Sequence, residues 1–186
     1  VSSTQAMNLT VGRLGTVYAP LFTTAANKTI QIAGSTGTTF TNGVLTVTNN
    51  TGYGLEITSN VTLGSNQVIN VSAASDSSWT QGLTLSGVVS GGAITKLGVG
   101  TLVLSNANSF TGLVDIQAGV IAISSDAALG NIANAVRLNV NAATAAGLRA
   151  TGTFATSRVI TLNQASNAIE VTAGNRLAAD DRFDYD

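Results

Sequence analysis

The sequence predicts an all-β chain wound as a right-handed parallel β-helix. Three observations carry that expectation. Apolar–polar–apolar triplets recur from end to end, small uncharged residues punctuate them every few positions, and charge is scarce. Only 9% of the 186 residues are charged, against ~25% in ordinary globular domains. Polarity comes instead from Thr, Ser, Asn and Gly, and with 44% hydrophobic residues the chain can bury a core.

The triplets run in order as Ile30-Gln31-Ile32, Leu45-Thr46-Val47, Leu55-Glu56-Ile57, Val61-Thr62-Leu63 and Ile69-Asn70-Val71. Leu83-Thr84-Leu85, Leu102-Val103-Leu104, Val114-Asp115-Ile116 and Ile121-Ala122-Ile123 continue them. Val136-Arg137-Leu138, Ile160-Thr161-Leu162 and Ile169-Glu170-Val171 follow. Side chains alternate faces along a strand, so each triplet turns two aliphatics inward and one residue outward. Between Ser124 and Ala135 the cluster Ala127-Ala128-Leu129 is interrupted by Gly130, which allows a single helical turn at most.

A sandwich would pair these strands through hairpins, yet Asn42-Gly43 is the sole Asn-Gly or Asp-Gly dipeptide. A coil of roughly 20–25 residues per turn instead stacks each strand on its counterpart one turn later. Outward side chains then lie ~4.8 Å from their like, where equal charges repel and Thr and Asn ladders attract. The composition fits the coil.

One segment is more specific. Lys96-Leu97-Gly98-Val99-Gly100-Thr101-Leu102-Val103-Leu104 leads into Asn106, Asn108, Phe110 and Gly112. Then come Leu113 to Ile123, with Gly119 between Ala118 and Val120, and the close Ala127-Ala128-Leu129-Gly130. This stretch resembles the autotransporter passenger-associated β-strand repeat, with its K-x-G-x-G-T-L-x-L-S-x-x-N-x-[FY]-x-G pattern. The motif residues are Lys96, Gly98, Gly100, Leu102, Leu104, Asn108, Phe110, Gly112 and Gly119. Gly98 and Gly100 allow a tight corner with φ > 0, and Leu102 and Leu104 fill the interior. Asn106 and Asn108 bond local backbone or stack as a ladder, while Phe110 caps the corner. The resemblance covers roughly residues 55–177, with its core at 96–130. Residues 1–54 read as N-terminal turns or a cap, around Tyr18-Ala19-Pro20-Leu21-Phe22. Residues 178–186 read as an acidic tail or the start of a further segment.

The resemblance implies an extracellular, non-enzymatic rod on a bacterial surface, either an adhesin-type passenger segment or a self-assembling fibre subunit. Partners are then further repeats of the same chain or other copies joined end to end, with surface or glycan contacts. A glycan-binding or carbohydrate-active β-helix is the alternative. The N-terminal Val1-Ser2-Ser3 fits a mature or excised segment. No apolar run approaches the ~18 residues of a membrane span.

Composition bears on other chemistries. Cysteine and histidine are absent and net charge is −1, with no basic cluster to neutralise phosphates. Nucleic acid is not an expected partner, and no cofactor is expected. Glu56 and Asp76 lie about one coil turn apart and are the pair to consider for carbohydrate chemistry. Without convergence with other acids, single outward carboxylates are the better account. The clustered Asp180, Asp181, Asp184 and Asp186 read as a calcium site or, preferably, a solvated loop, since no glycine turns the cluster around an ion. No metal site is therefore assigned. Sequons at Asn8, Asn27, Asn49, Asn60 and Asn70 follow from Asn- and Thr-rich composition. Trp79 and Phe183 are candidate exposed anchors or loop residues.

Overall fold

The computed structural model describes residues 2–3, 7–11, 28–34, 36–41, 43–49, 53–73, 82–138, 144–179 and 183–185. Asp76, Trp79 and the Pro20 stretch lie outside them.

In chain order the first strands are β1 (Ser2–Ser3), β2 (Met7–Val11), β3 (Lys28–Ile32), β4 (Thr38–Phe40), β5 (Val44–Asn49), β6 (Tyr53–Ile57) and β7 (Val61–Ala73). Then follow β8 (Gly82–Leu85), β9 (Val89–Leu97), β10 (Thr101–Leu104), β11 (Val114–Ile116), β12 (Gly119–Ile123) and β13 (Val136–Leu138). The last are β14 (Ala146–Ala150), β15 (Phe154–Thr156), β16 (Ile160–Leu162), β17 (Ala168–Val171), β18 (Leu177–Ala179) and β19 (Phe183–Tyr185). A single 3-10 turn, Asp126–Leu129, interrupts them. It occupies the stretch where Gly130 was expected to limit helix to one turn.

Two long sheets form the walls of a coil. Sheet A runs β1-β4-β7-β9-β11-β13-β16-β19, with β2 and β5 alongside, and sheet B runs β17-β14-β12-β10-β8-β6-β3. A third, short sheet joins β15 to β18. Each pairing is parallel, and from β5 to β14 consecutive strands alternate between A and B, so the fold is a parallel β-solenoid. The coil lengths can be read from the registers. Thr101 stands over Gly82 nineteen residues earlier, whereas Leu83 stands over Leu55, twenty-eight residues on.

Registration converts the triplets into continuous aliphatic columns. In sheet B, Leu55, Leu83, Leu102, Ile121 and Leu148 stack, with Ile57, Leu85, Leu104 and Ile123 beside them. The six residues expected inside, Leu102, Leu104, Ile121, Ile123, Val136 and Leu138, are all buried in one core. A rung of two apolar side chains cannot exclude water alone. Stacked above and below, it becomes a dry interior, and the backbone ladder satisfies the amide groups.

The acidic end departs from the loop reading at one point. Phe183–Tyr185 pairs in parallel with Ile160–Leu162, placing Asp184 in register with Thr161. That short stretch is a further rung of sheet A. Asp180, Asp181 and Asp186 lie outside the described residues.

Candidate functional site

The motif residues gather at the corner between β9 and β10 and on the two rungs above it. Lys96 decides the local arrangement. It lies in an otherwise apolar column of sheet A, with Ile69 on one side and Ile116 on the other. Its side chain is fully buried. The ammonium leaves the column at the corner and donates to the carbonyls of Leu97 (2.8 Å), Gly98 (2.7 Å) and Ala118 (3.1 Å). Three N–H donors meet three oxygens that the bend has turned away from the ladder. Burial pulls the ammonium down to about 7, from its ordinary 10.5, and the three carbonyls oppose that pull.

Gly98 turns the corner with φ 76°, a conformation most side chains avoid. A Cβ there would also run into the Val71 carbonyl on the preceding rung. Gly100 plays a different part from the one expected, because its backbone is not left-handed. It is needed for close approach: its N–H donates to Val71 O (2.8 Å), and a Cβ would lie 2.8 Å from Val71 Cγ1. Gly98→Ala is therefore expected to cost about 2 kcal/mol or more, combining backbone strain with a clash against main chain. Chemical denaturation would show it as a lowered midpoint. An unchanged midpoint would mean that the corner relaxes freely.

Asn108 bonds backbone about one turn away on either side. Its side chain accepts from Val89 N (2.8 Å) and donates to Ala128 O (2.7 Å), bridging the rung before to the rung after. Asn106 does both, accepting locally from Ala107 N and donating to Ser86 O. Phe110 lies fully in the core. Gly112, with φ 108°, donates to Asn134 Oδ1 (2.8 Å), and Gly119 N–H reaches Ala145 O (3.0 Å).

Two residues central to the next corner have no place in the motif. Asn134, buried, donates to Phe110 O and Leu129 O, both at 3.0 Å. Arg158, also buried, reaches back one rung to Asp126 Oδ1 (2.9 Å) and to the carbonyls of Asp126, Gly130, Asn131 and Asn134. A guanidinium presents five donors in a fixed fork, and here it holds the 3-10 turn and its exit together. Ser157-Arg158-Val159 gives no sequence signal for this beyond a lone arginine between short strands.

Among the described residues, several carboxylates bond basic or polar side chains on neighbouring rungs. Asp115 is in register with Arg137 and takes two hydrogen bonds from it, at 3.0 and 2.8 Å. Burial resists the Asp115 charge, but the bonds from Arg137 and Gln117 outweigh it and hold the carboxyl below its usual range. Glu170 pairs with Arg149 across the next rungs at 2.7 Å. Glu56 accepts from Ser86 Oγ (2.6 Å) and Gln31 Nε2 (2.7 Å), which lower its pKa in that order. Among the described residues no three acids, cysteines or histidines come together as a metal site would require. Nor is any helix there long and apolar enough to cross a membrane.

Residues 94–123 match the family model of the passenger-associated-transport-repeat, spanning the Lys96 corner and the two strands that follow it. Over those residues the chain is similar to a passenger-associated transport repeat. The chain is also 38% identical over 87 residues to the adhesin BmaC autotransporter of Brucella suis biovar 1 (strain 1330). That match covers 46% of this chain and 2% of the adhesin, so the chain spans a small fraction of its relative's length. No solved structure matches the chain. The passenger repeat thus has a physical definition here. A lysine leaves an aliphatic column to close a glycine corner, and an asparagine bridges three rungs.

Proposed function

We propose that this chain is a rod segment of an extracellular passenger that displays adhesive surface outside a bacterial cell. The observation that carries this reading is the passenger repeat at residues 94–123 embedded in a continuous parallel solenoid. A solenoid holds its outward side chains at fixed spacing on a stiff support, which suits contact with a surface. The likeness to an adhesin autotransporter supports the same role. On this reading the buried cations and asparagines are structural, and the protein acts mechanically rather than by a reacting group.

A second reading, assembly of copies end to end, draws on the outermost strands of sheet B. Ile30 and Ile32 on β3 are 41% and 39% exposed, and Val171 on β17 is 40% exposed. Each occupies a column position that is buried one rung further in. Such edges accept another strand, from the same polypeptide or from a second copy.

Both readings are tested on the full-length protein in its native host. Immunogold labelling of intact cells with antibodies against residues 82–138 is expected to decorate the cell surface. Negative-stain electron microscopy of released material is expected to show separate rods. Filaments with a regular axial repeat would favour the fibre subunit, and gold confined to the cell interior would sink the extracellular role.

A further inference from the structure

The outward face of sheet A changes character along the rod. Toward the β13 side it carries the ion pair of Asp115 with Arg137. Over β4, β5 and β7 it carries no charge, for none of these strands contains Asp, Glu, Lys or Arg. Its inward positions Phe40, Leu45, Val47, Leu63, Ile69 and Val71 are buried, so their immediate neighbours Thr39, Thr46, Thr48, Thr62, Asn70 and Ser72 face out. These fall into rows. Thr39, Thr62 and Ser90 stand in register on three successive rungs. Thr46 lies beside Asn70, and Thr48 beside Ser72.

We propose that this uncharged face binds a neutral polysaccharide. The proposal rests on the surface-display reading and names the partner's chemistry. Rungs ~4.8 Å apart place hydroxyls at intervals comparable with a sugar ring, along a continuous sheet face. Thr62 Oγ1 and Ser90 Oγ lie 3.3 Å apart, as a hydrogen-bonded pair. A hydroxyl donates once and accepts twice, so such a pair keeps capacity for a ligand's hydroxyls. Where the face meets the corner leading in from sheet B, a groove of about 470 Å³ opens. It is lined by Thr36, Thr38, Thr58, Ser59, Asn60 and Thr62, with Gly34 leaving open space where a side chain would stand. Thr38 Oγ1 and Ser59 Oγ, 3.0 Å apart, repeat the hydroxyl pairing inside it. An anionic polymer would find no cation on β4, β5 or β7, and an apolar ligand would have to strip the hydroxyls of water. A neutral polyol exchanges water for equivalent bonds.

The test is affinity electrophoresis of the intact chain through native gels containing hydroxyethyl cellulose, glycogen or dextran, with polygalacturonate as the anionic comparison. Retardation by at least one neutral polymer is expected, little changed between low and high salt. The variant T39V/T62V/S90A keeps β-branched residues at its first two positions and should weaken retardation at least tenfold, while circular dichroism shows it folded. If it fails to fold, T46V/T48V replaces it with the same expected loss. Thr161→Val, on β16, should leave retardation unchanged. No retardation by any neutral polymer, equal retardation of wild type and variants, or retardation by polygalacturonate alone overturns the proposal. Surface gold labelling with any of these results sinks the polysaccharide assignment and leaves the display reading. Absence of surface gold sinks the display reading itself.

Discussion

Replacing Lys96 with methionine is expected to cost about 3 kcal/mol at neutral pH, since one buried carbonyl, Ala118 O, and two half-buried ones, Leu97 O and Gly98 O, lose their donor at once. Methionine matches the stem's length and apolarity, so packing between Ile69 and Ile116 is preserved and the loss reports the ammonium. The sign with pH follows from linkage. Unfolded, Lys96 keeps its ordinary value of 10.5, and folded it titrates at about 7. Between those values the unfolded chain binds the extra proton, so wild-type stability rises with pH across that window. The slope is about 1.4 kcal/mol per pH unit, levelling off below 7 and above 10.5. The methionine variant lacks this contribution, so its deficit should widen as pH rises. Urea denaturation of both proteins at pH 6.5, 8 and 9.5 measures it. Parallel stability curves would mean that the corner carbonyls hold the ammonium charged throughout.

That experiment separates what the sequence could show from what it could not. The solenoid was legible because its rule is local. Triplets such as Leu102-Val103-Leu104 and Ile121-Ala122-Ile123 each declare which side chains face in. Stacking of like on like then follows from the scarcity of charge, and the strands lie in that register. The resemblance located Lys96, but a pattern letter does not say why a lysine belongs there. Its position in a column of Ile and Leu is visible once residues 69, 96 and 116 are in register, nearly fifty residues end to end. The partners of Asn108 are out of reach of the sequence for the same reason. Asparagine near a turn suggests a local bond, whereas here its partners lie 19 residues before and 20 after. In a coil, the nearest neighbours are about one turn away in sequence, and single-sequence periodicity carries no trace of them. The charged pairs show the converse. Asp115 with Arg137 and Arg149 with Glu170 lie about one coil apart, so opposite charges at the coil spacing were a signal available to be read.

Arg158 is where a long-range contact has the second large expected effect. Arg158→Met should destabilise the protein by about 4 kcal/mol, in the range found when one partner of a buried ion pair is removed. The guanidinium side chain is 1% exposed and its partner Asp126 is 17% exposed. Truncation therefore leaves a carboxylate poorly reached by water and strips a donor from four carbonyls between Asp126 and Asn134. Those carbonyls belong to the 3-10 turn and its exit, one rung away from Arg158 itself. The damage should thus appear first at residues 126–134, as faster amide exchange there than in β10 or β12. Arg158→Lys keeps the charge but offers three donors in place of a planar fork of five. It should recover part of the stability and little of the protection at the turn. Equal protection in all three proteins would show that the turn is held by Asn134 and the core contacts of Leu129 alone. Arg158 would then be a cation buried without structural consequence, an outcome that its five acceptors make hard to reconcile with the cost of burying it.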